Sequence, residues 1–375
     1  MARQFDENVS LRISRNRTGF TPAACVVMAC RGGEPHLEES IEAILGQSYP
    51  NFRLIIVTDA KDDPAYSVAN MVLKRHSTKD AHIFTADAHP RASGKVAALL
   101  TGLERDGWAS EAYAFVDSDA LTTRNWLREM LDPLGDPLIG VTTGFRWYFP
   151  EKGGFWSQVE SAWNASGTNV MFSEKYNFPW GGAMAILRDK MNAISLRTLW
   201  ETAFSDDLSL NRALREHKYR VEFLPQCTVI TRSQTTGRSF LSWATRQIAI
   251  TRVFNRRLWV YGLGAYGLFT VFSGLGVACL IAGITLSPTW LLLAVLLLAP
   301  SILGVLRSNQ RIRTFKHAMP EFASDFEKNH WAHSIASLIV PWIMTYCILK
   351  SARTNEIEWR GRKYKLTGQT PLAST

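Results

Sequence analysis

The sequence predicts an α/β domain on a largely parallel sheet, followed by helices that lie on a membrane surface and cross it. Three observations carry this. Short apolar runs alternate with amphipathic helical stretches through residues 23–116. Two long, uncharged apolar runs follow at 260–286 and 290–306. Basic residues gather in that same part of the chain. Residues 1–230 carry 25 Lys and Arg against 28 Asp and Glu, whereas residues 231–375 carry 17 against 5.

At 375 residues, 46% apolar and 20% charged, the chain is a folded one with room for two domains. A basic excess beside apolar runs suits a membrane surface with anionic lipid. No helix-turn-helix or aromatic-plus-basic RNA motif is found, so no nucleic-acid partner is expected. The five cysteines, at 25, 30, 227, 279 and 347, show no Cys-x-x-Cys spacing. They read as buried thiols of a reducing compartment, neither a disulfide frame nor a zinc site. Residues 1–21 are polar and Arg-rich without an apolar core, so they read as a flexible arm, not a signal peptide or anchor.

Residues 23–30 form a continuous apolar run of the kind buried on both faces of a parallel sheet. A Gly-rich turn with Arg31 and Glu34 leads to an amphipathic helix over 37–45. A second strand, 52–57, ends at Thr58 and Asp59. Helix 65–76, strand 82–85, helix 95–105 and strand 112–116 follow, so the pattern is βαβαβαβ. In open α/β sheets, ligands bind where the strands end.

Strand 112–116 runs into Asp117-Ser-Asp119. Side chains at i and i+2 of a strand point the same way, so both carboxylates can face one hard cation. A divalent ion held by few protein oxygens keeps positions open for phosphate and water. The plain alternative is a solvated acidic turn.

Several motifs stand in one order: Gln47-Ser-Tyr-Pro, Asp59, Gly94-Lys95, Asp117-x-Asp119, Gly181-Gly182, Ser205-Asp-Asp207 and Trp243-x-x-Arg246-Gln247. In that order they resemble family 2 glycosyltransferases, and among those the ceramide glucosyltransferases. The tail motif, Glu358 to Tyr364, resembles lipid-directed members. The resemblance spans about residues 22–366. The family's Gln-x-x-Arg-Trp stands here with its outer residues exchanged. The resemblance implies a GT-A type nucleotide-binding domain over 22–237, with a nucleotide-binding half (22–120) and an acceptor half (121–237). It implies Mn²⁺ or Mg²⁺ on Asp117 and Asp119. It assigns Asp207 as the base, with Asp206 second, and Arg246 as a clamp on the leaving diphosphate. Donor and acceptor contacts then fall to Arg31, Asp59, Lys95, Asp117, Gly181, Gly182, Trp243 and Gln247.

Residues 145–180 are rich in aromatics, which core packing or contact with a lipid interface could explain. Residues 238–259 mix apolar and Arg positions as an interfacial helix does. The membrane region is expected over 260–350. Runs 260–286 and 288–306 are long enough to span about 30 Å of hydrocarbon as a hairpin. Arginines flanking both ends place those ends in the cytoplasm. Run 332–349 carries Pro341 and reads as re-entrant, with a third span the rival; 351–375 is a basic cytoplasmic tail. The first 21 residues hold no membrane helix, which the resemblance reads as a multi-pass protein of a bacterial inner membrane.

The expected activity is transfer of one sugar, glucose by resemblance, from a UDP-sugar to a lipid hydroxyl such as that of ceramide, with inversion. Alternatives are a processive polysaccharide synthase, acceptors such as diacylglycerol, hopanoid or polyprenyl phosphate, and a catalytically dead nucleotide-binding scaffold.

Overall fold

The computed structural model describes residues 19–359, 362–366 and 372–373. Most of the N-terminal arm expected over 1–21, and Arg360, Gly361 and residues 367–371 and 374–375 of the expected tail, lie outside the described residues.

The first half alternates as its sequence predicts. Its elements are β1 (Ala24–Cys30), α1 (Leu37–Leu45), β2 (Phe52–Thr58), α2 (Pro64–Arg75), β3 (Ala81–Thr85), α3 (Gly94–Arg105) and β4 (Ala112–Asp117). Then come α4 (Trp126–Leu131), β5 (Ile139–Thr143), β6 (Arg146–Pro150), α5 (Phe155–Ser166), α6 (Thr168–Met171), β7 (Ala183–Leu187), α7 (Arg188–Ala193), α8 (Leu196–Trp200), α9 (Asp206–Glu216), β8 (Arg220–Phe223) and β9 (Val229–Ser233). The helical part is α10 (Gly237–Phe254), α11 (Arg256–Thr285), α12 (Thr289–Ala318), α13 (Ala323–Ala336) and α14 (Val340–Ser351). Short strands β10 (Glu356–Trp359), β11 (Arg362–Lys365) and β12 (Leu372–Ala373) close the chain.

The chain divides into two compact units. One combines the segment up to Trp147, Gly167–Arg232 and the segment from Glu358 onward; the other combines Tyr148–Ser166 and Ser233–Ile357. In the first unit a seven-stranded sheet has the order β3-β2-β1-β4-β7-β5-β8. β3, β2, β1 and β4 run parallel, and β7 is antiparallel to both β4 and β5. Alternate residues of β1 feed opposite faces. Val26 and Met28 pack with Leu37, Ile41 and Ile44 of α1, whereas Cys25 and Val27 pack with Val96, Leu99 and Leu103 of α3. Both faces of β1 are thus buried, which is why its sequence is apolar throughout. All five cysteines are free and buried.

In the second unit, Trp163, Phe240, Ala244, Val340 and Ile343 share one apolar cluster. α11 and α12 are long and apolar enough to cross a membrane. The segments Pro320–Ala336 and Val340–Ser351 meet at a 64° bend, and together they pass the same test as a broken span or a re-entrant loop. The helix expected over 238–259 ends instead at Phe254. Asn255 leaves the helical region (φ −142°, ψ 71°), and its Oδ1 accepts from Leu258 N at 3.1 Å. It thereby caps a new helix, and Arg256 to Trp259 become the first turn of α11.

Candidate active site

Three parallel strands set the edge on which the site lies. Ala29 of β1 pairs with Asp117 of β4, and Cys30 pairs with Thr58 of β2. Asp59 and Asp117 therefore leave the same edge two strand spacings apart, about 10 Å. Arg31 stands between them and pairs with Asp59, Nε to Oδ2 at 3.5 Å. Asp63, the cap of α2, accepts from Gly32 N and Ala65 N, each at 2.8 Å, and so ties down the turn after β1.

All four oxygens of the Asp117 and Asp119 carboxylates are engaged by cationic side chains. Arg146 Nη1 donates to Asp119 Oδ2 at 2.8 Å. Its Nη2 donates to Asp119 Oδ1 at 2.8 Å and to Asp117 Oδ2 at 2.7 Å. Lys95 Nζ lies 2.8 Å from Asp117 Oδ1. Ser93 caps α3 and sets Lys95 in its first turn. From there Nζ also donates to Gly181 O at 3.2 Å and stands 3.3 Å from Asp206 Oδ2. Burial acts to lower the Lys95 pKa, but Asp117, Asp206 and Asp207 outweigh it and hold the ammonium above its ordinary value. Burial dominates at Asp206. Even with Lys95 pulling it down, the carboxyl is pushed up to about 6, aided by Asp207 and Asp117.

Asp206 and Asp207 open α9, whose cap is Ser205. Asp207 Oδ1 accepts from Leu208 N at 2.7 Å and from the Ser205 hydroxyl, and Oδ2 accepts from Gly181 N at 3.3 Å. The carboxylate is thus oriented by the free amides of a helix start.

The two glycines before β7 are required by close approach. A Cβ on Gly181 would run into the Asp206 carboxylate. One on Gly182 would run into the Trp180 ring and come within 2.6 Å of Asp117 Oδ2.

The first unit thus gathers Lys95, Asp117, Asp119, Gly181, Gly182, Asp206 and Asp207, with Arg31 and Asp59 farther along the sheet edge. Trp243, Arg246 and Gln247 stand on α10 of the second unit instead. There Trp243 packs edge-on against Trp163 and Tyr148, and Thr251 Oγ1 donates to Gln247 O at 3.0 Å. Of the eleven aromatics in 145–180, Phe145, Trp147, Tyr148, Phe149 and Trp163 are buried, Trp156, Phe172, Phe178 and Trp180 are half-buried, and Phe155 and Tyr176 are exposed.

Sequence reasoning missed three residues. Arg146 opens β6, and the Trp180 ring lies 5.0 Å from its guanidinium carbon. The one signal for Arg146 was a lone cation in an aromatic strand. Tyr364, in the tail motif, packs on Phe204, and its hydroxyl accepts from Gly94 N at 3.5 Å. It thus touches residues directly before Ser205 and Lys95.

Asp117 and Asp119 offer oxygen donors only, the preference of Mg²⁺ or Mn²⁺. Among the described residues no group of three or more His, Cys, Asp or Glu could hold a metal. The pair therefore fits an ion that brings most of its shell as phosphate and water, and such an ion must displace Arg146.

The chain is similar to known sugar transferases. A ceramide glucosyltransferase of Komagataella phaffii is 23% identical over 127 residues, 32% of this chain and 24% of that protein. The matched stretch is thus about a quarter of that relative's length. The mannosyltransferase PcManGT from Pyrobaculum calidifontis, solved with GDP-Man and Mn²⁺, is 15% identical with a TM-score of 0.45, covering 92% of this chain and 94% of that one. The motifs resemble those of family 2, but the family whose model matches, over residues 5–371, is glycosyl transferase family 21, and the chain belongs to it.

Proposed function

We propose that this glycosyltransferase moves one sugar, glucose in the first instance, from a UDP-sugar to the hydroxyl of a membrane lipid such as ceramide, with inversion. One observation carries the reading: the acidic cluster around Lys95 and Arg146 lies on the ligand-binding edge of an α/β sheet, in a chain with two helices long enough to cross a membrane. The local likeness to a ceramide glucosyltransferase supports the lipid acceptor.

In this reading the domain is of the GT-A type. Asp59 and Arg31 meet the nucleoside, and Lys95 meets the diphosphate. Asp117 and Asp119 would hold Mg²⁺ or Mn²⁺, which when bound offsets charge on the leaving diphosphate. Asp207 accepts the proton of the attacking hydroxyl. As that oxygen bonds to the anomeric carbon, the bond from carbon to the diphosphate oxygen breaks, and UDP leaves with the electron pair. One displacement from the opposite face inverts the centre. Arg146, released from the carboxylates, is a second cation for the diphosphate. Gly181 and Gly182 keep the acceptor side open, and the family resemblance alone assigns Arg246, Trp243 and Gln247 to acceptor and leaving group. The catalytic unit then faces the cytoplasm of a multi-pass inner-membrane protein.

The test is incubation of the purified protein with a panel of UDP-sugars and lipids, with mass spectrometry of the products. The reading expects a monoglycosylated lipid. Transfer to soluble sugars without any lipid product would overturn it.

A further inference from the structure

The second unit buries a cationic, donor-rich cluster against which, among the described residues, no carboxylate is found; the phenol of Tyr266 on α11 is the one acidic group that acts on Arg311. Ser308, Arg311 and Thr314 follow one another at i, i+3 and i+6 along α12, and all are buried. Arg311 is only 6% exposed, and among the described residues it has no hydrogen bond or ion pair. Its Nε and the Ser308 hydroxyl are enclosed without a partner, as is His330 Nε2 on α13. His333, one turn on and 2% exposed, lies close enough to Arg311 to feel its charge; its Nδ1 is 3.0 Å from Ser161 Oγ on α5. Arg307 adds a further positive charge nearby. Two of this unit's carboxylates are engaged elsewhere, Glu327 with Lys316 and Glu160 with Ser233.

A guanidinium stays charged when buried, and an enclosed charge without a counter-charge is strongly unfavourable. The missing partner is an anion, and a planar fork of donors suits phosphate. Its depth indicates the source. Arg311 follows the end of the apolar run at Leu306 by about 7.5 Å of helix, the level of lipid headgroups. α13 buries Phe326 and exposes Glu327 and Lys328 as a water-soluble helix does, but from Asn329 on the pattern changes. It buries Asn329, His333 and Ser334 but exposes Trp331 (71%) and Ile335 (62%). An outward face of Trp and Ile belongs at a lipid interface.

We propose that Ser308, Arg311 and His330, with His333 beside them, form a phosphate site that holds the headgroup of an anionic membrane lipid. The site is separate from the carboxylate cluster and does not depend on the transfer reading.

The test uses the full chain in neutral detergent and native mass spectrometry, with phosphatidylglycerol or phosphatidylcholine added. The wild type should retain phosphatidylglycerol at a concentration at least tenfold lower than phosphatidylcholine, and Arg311→Gln should erase that preference. Equal retention of the two lipids by the wild type, or an intact preference in Arg311→Gln, overturns the proposal. Should Arg311→Gln fail to fold, His330→Ala is the second variant. A severalfold weaker preference supports the site, and an unchanged one overturns it. Melting in inorganic phosphate against chloride at equal ionic strength separates the sources. Stabilisation by phosphate with no lipid preference would assign the pocket to free phosphate and overturn the lipid as its ligand.

Discussion

Arg146 and Asp119 face each other fork to fork, through two parallel bonds of 2.8 Å, and the same guanidinium reaches Asp117 at 2.7 Å. Geometry of this kind gives the strongest of the charge-assisted hydrogen bonds. It also sets Arg146 against any divalent ion for the same oxygens. Arg146→Ala should therefore bind Mn²⁺ without donor about tenfold or more tightly than wild type, a gain of about 1.4 kcal/mol. Free and bound Mn²⁺ can be counted by electron paramagnetic resonance. In a chelator the variant should melt below wild type, because Asp117 and Asp119 are left as adjacent like charges, and added Mn²⁺ should restore it. Unchanged Mn²⁺ affinity would show that the arginine does not compete.

Asp207→Asn is nearly isosteric, and its side-chain oxygen can still accept from Leu208 N. It should keep UDP-sugar affinity while lowering kcat by roughly 10²–10⁴, the range for loss of a general base. Isothermal titration and single-turnover transfer separate the two effects. Turnover equal to wild type would remove Asp207 from the role and move attention to Asp206.

Asp206 makes the stability of the fold depend on pH. Its folded pKa is raised by burial, to about 6. A raised carboxyl contributes stability fully below its ordinary value and loses it as pH rises through about 6. At pH 7.5 the ionised, enclosed Asp206 is therefore a cost. Asp206→Asn should melt above wild type at pH 7.5, by roughly 2–4 °C for each kcal/mol relieved. The gap should close at pH 4.5. If wild type melts higher at pH 7.5, the Lys95 pair outweighs desolvation.

Gly182→Ala carries a different kind of risk. The added methyl would meet the Trp180 ring and Asp117 Oδ2 together, and neither can move without disturbing Arg146. Activity should fall at least tenfold with a lowered melting point. Gly33→Ala, where a Cβ meets nothing within 4 Å, is the control and should leave both near wild type.

Much of this was legible in the chain. The apolar runs marked β1, β2 and β4 to within a residue or two, because a strand buried on both faces leaves a continuous signature. Asp117, Asp119 and Lys95 stood out because each sits at the end or start of a strand or helix that the pattern marks, whereas the glycine pair was singled out by the family resemblance alone. Arg146 was not, since it reaches Asp119 across 27 positions and nothing in the local pattern of β6 encodes that. The antiparallel β7 between β4 and β5 was likewise hidden, because strand order depends on long-range pairing. The end of α10 depended on the backbone angles and cap bond of one asparagine, which apolar periodicity does not register.

The hairpin of α11 and α12 makes its own prediction. Leu286 to Pro288 join two helices that each pass the length and polarity test for a span. All native cysteines are buried, so a single exposed thiol can be read against a low background. Ser287→Cys and Ser239→Cys, the latter near the start of α10, should react with a membrane-impermeant maleimide from opposite sides. In sealed, right-side-out vesicles Ser287→Cys should label and Ser239→Cys should not, and in inverted vesicles the pattern should reverse. Labelling of both from one side would mean that the two helices lie along the surface or re-enter, and the headgroup depth assigned to Arg311 would have to be measured again from that geometry.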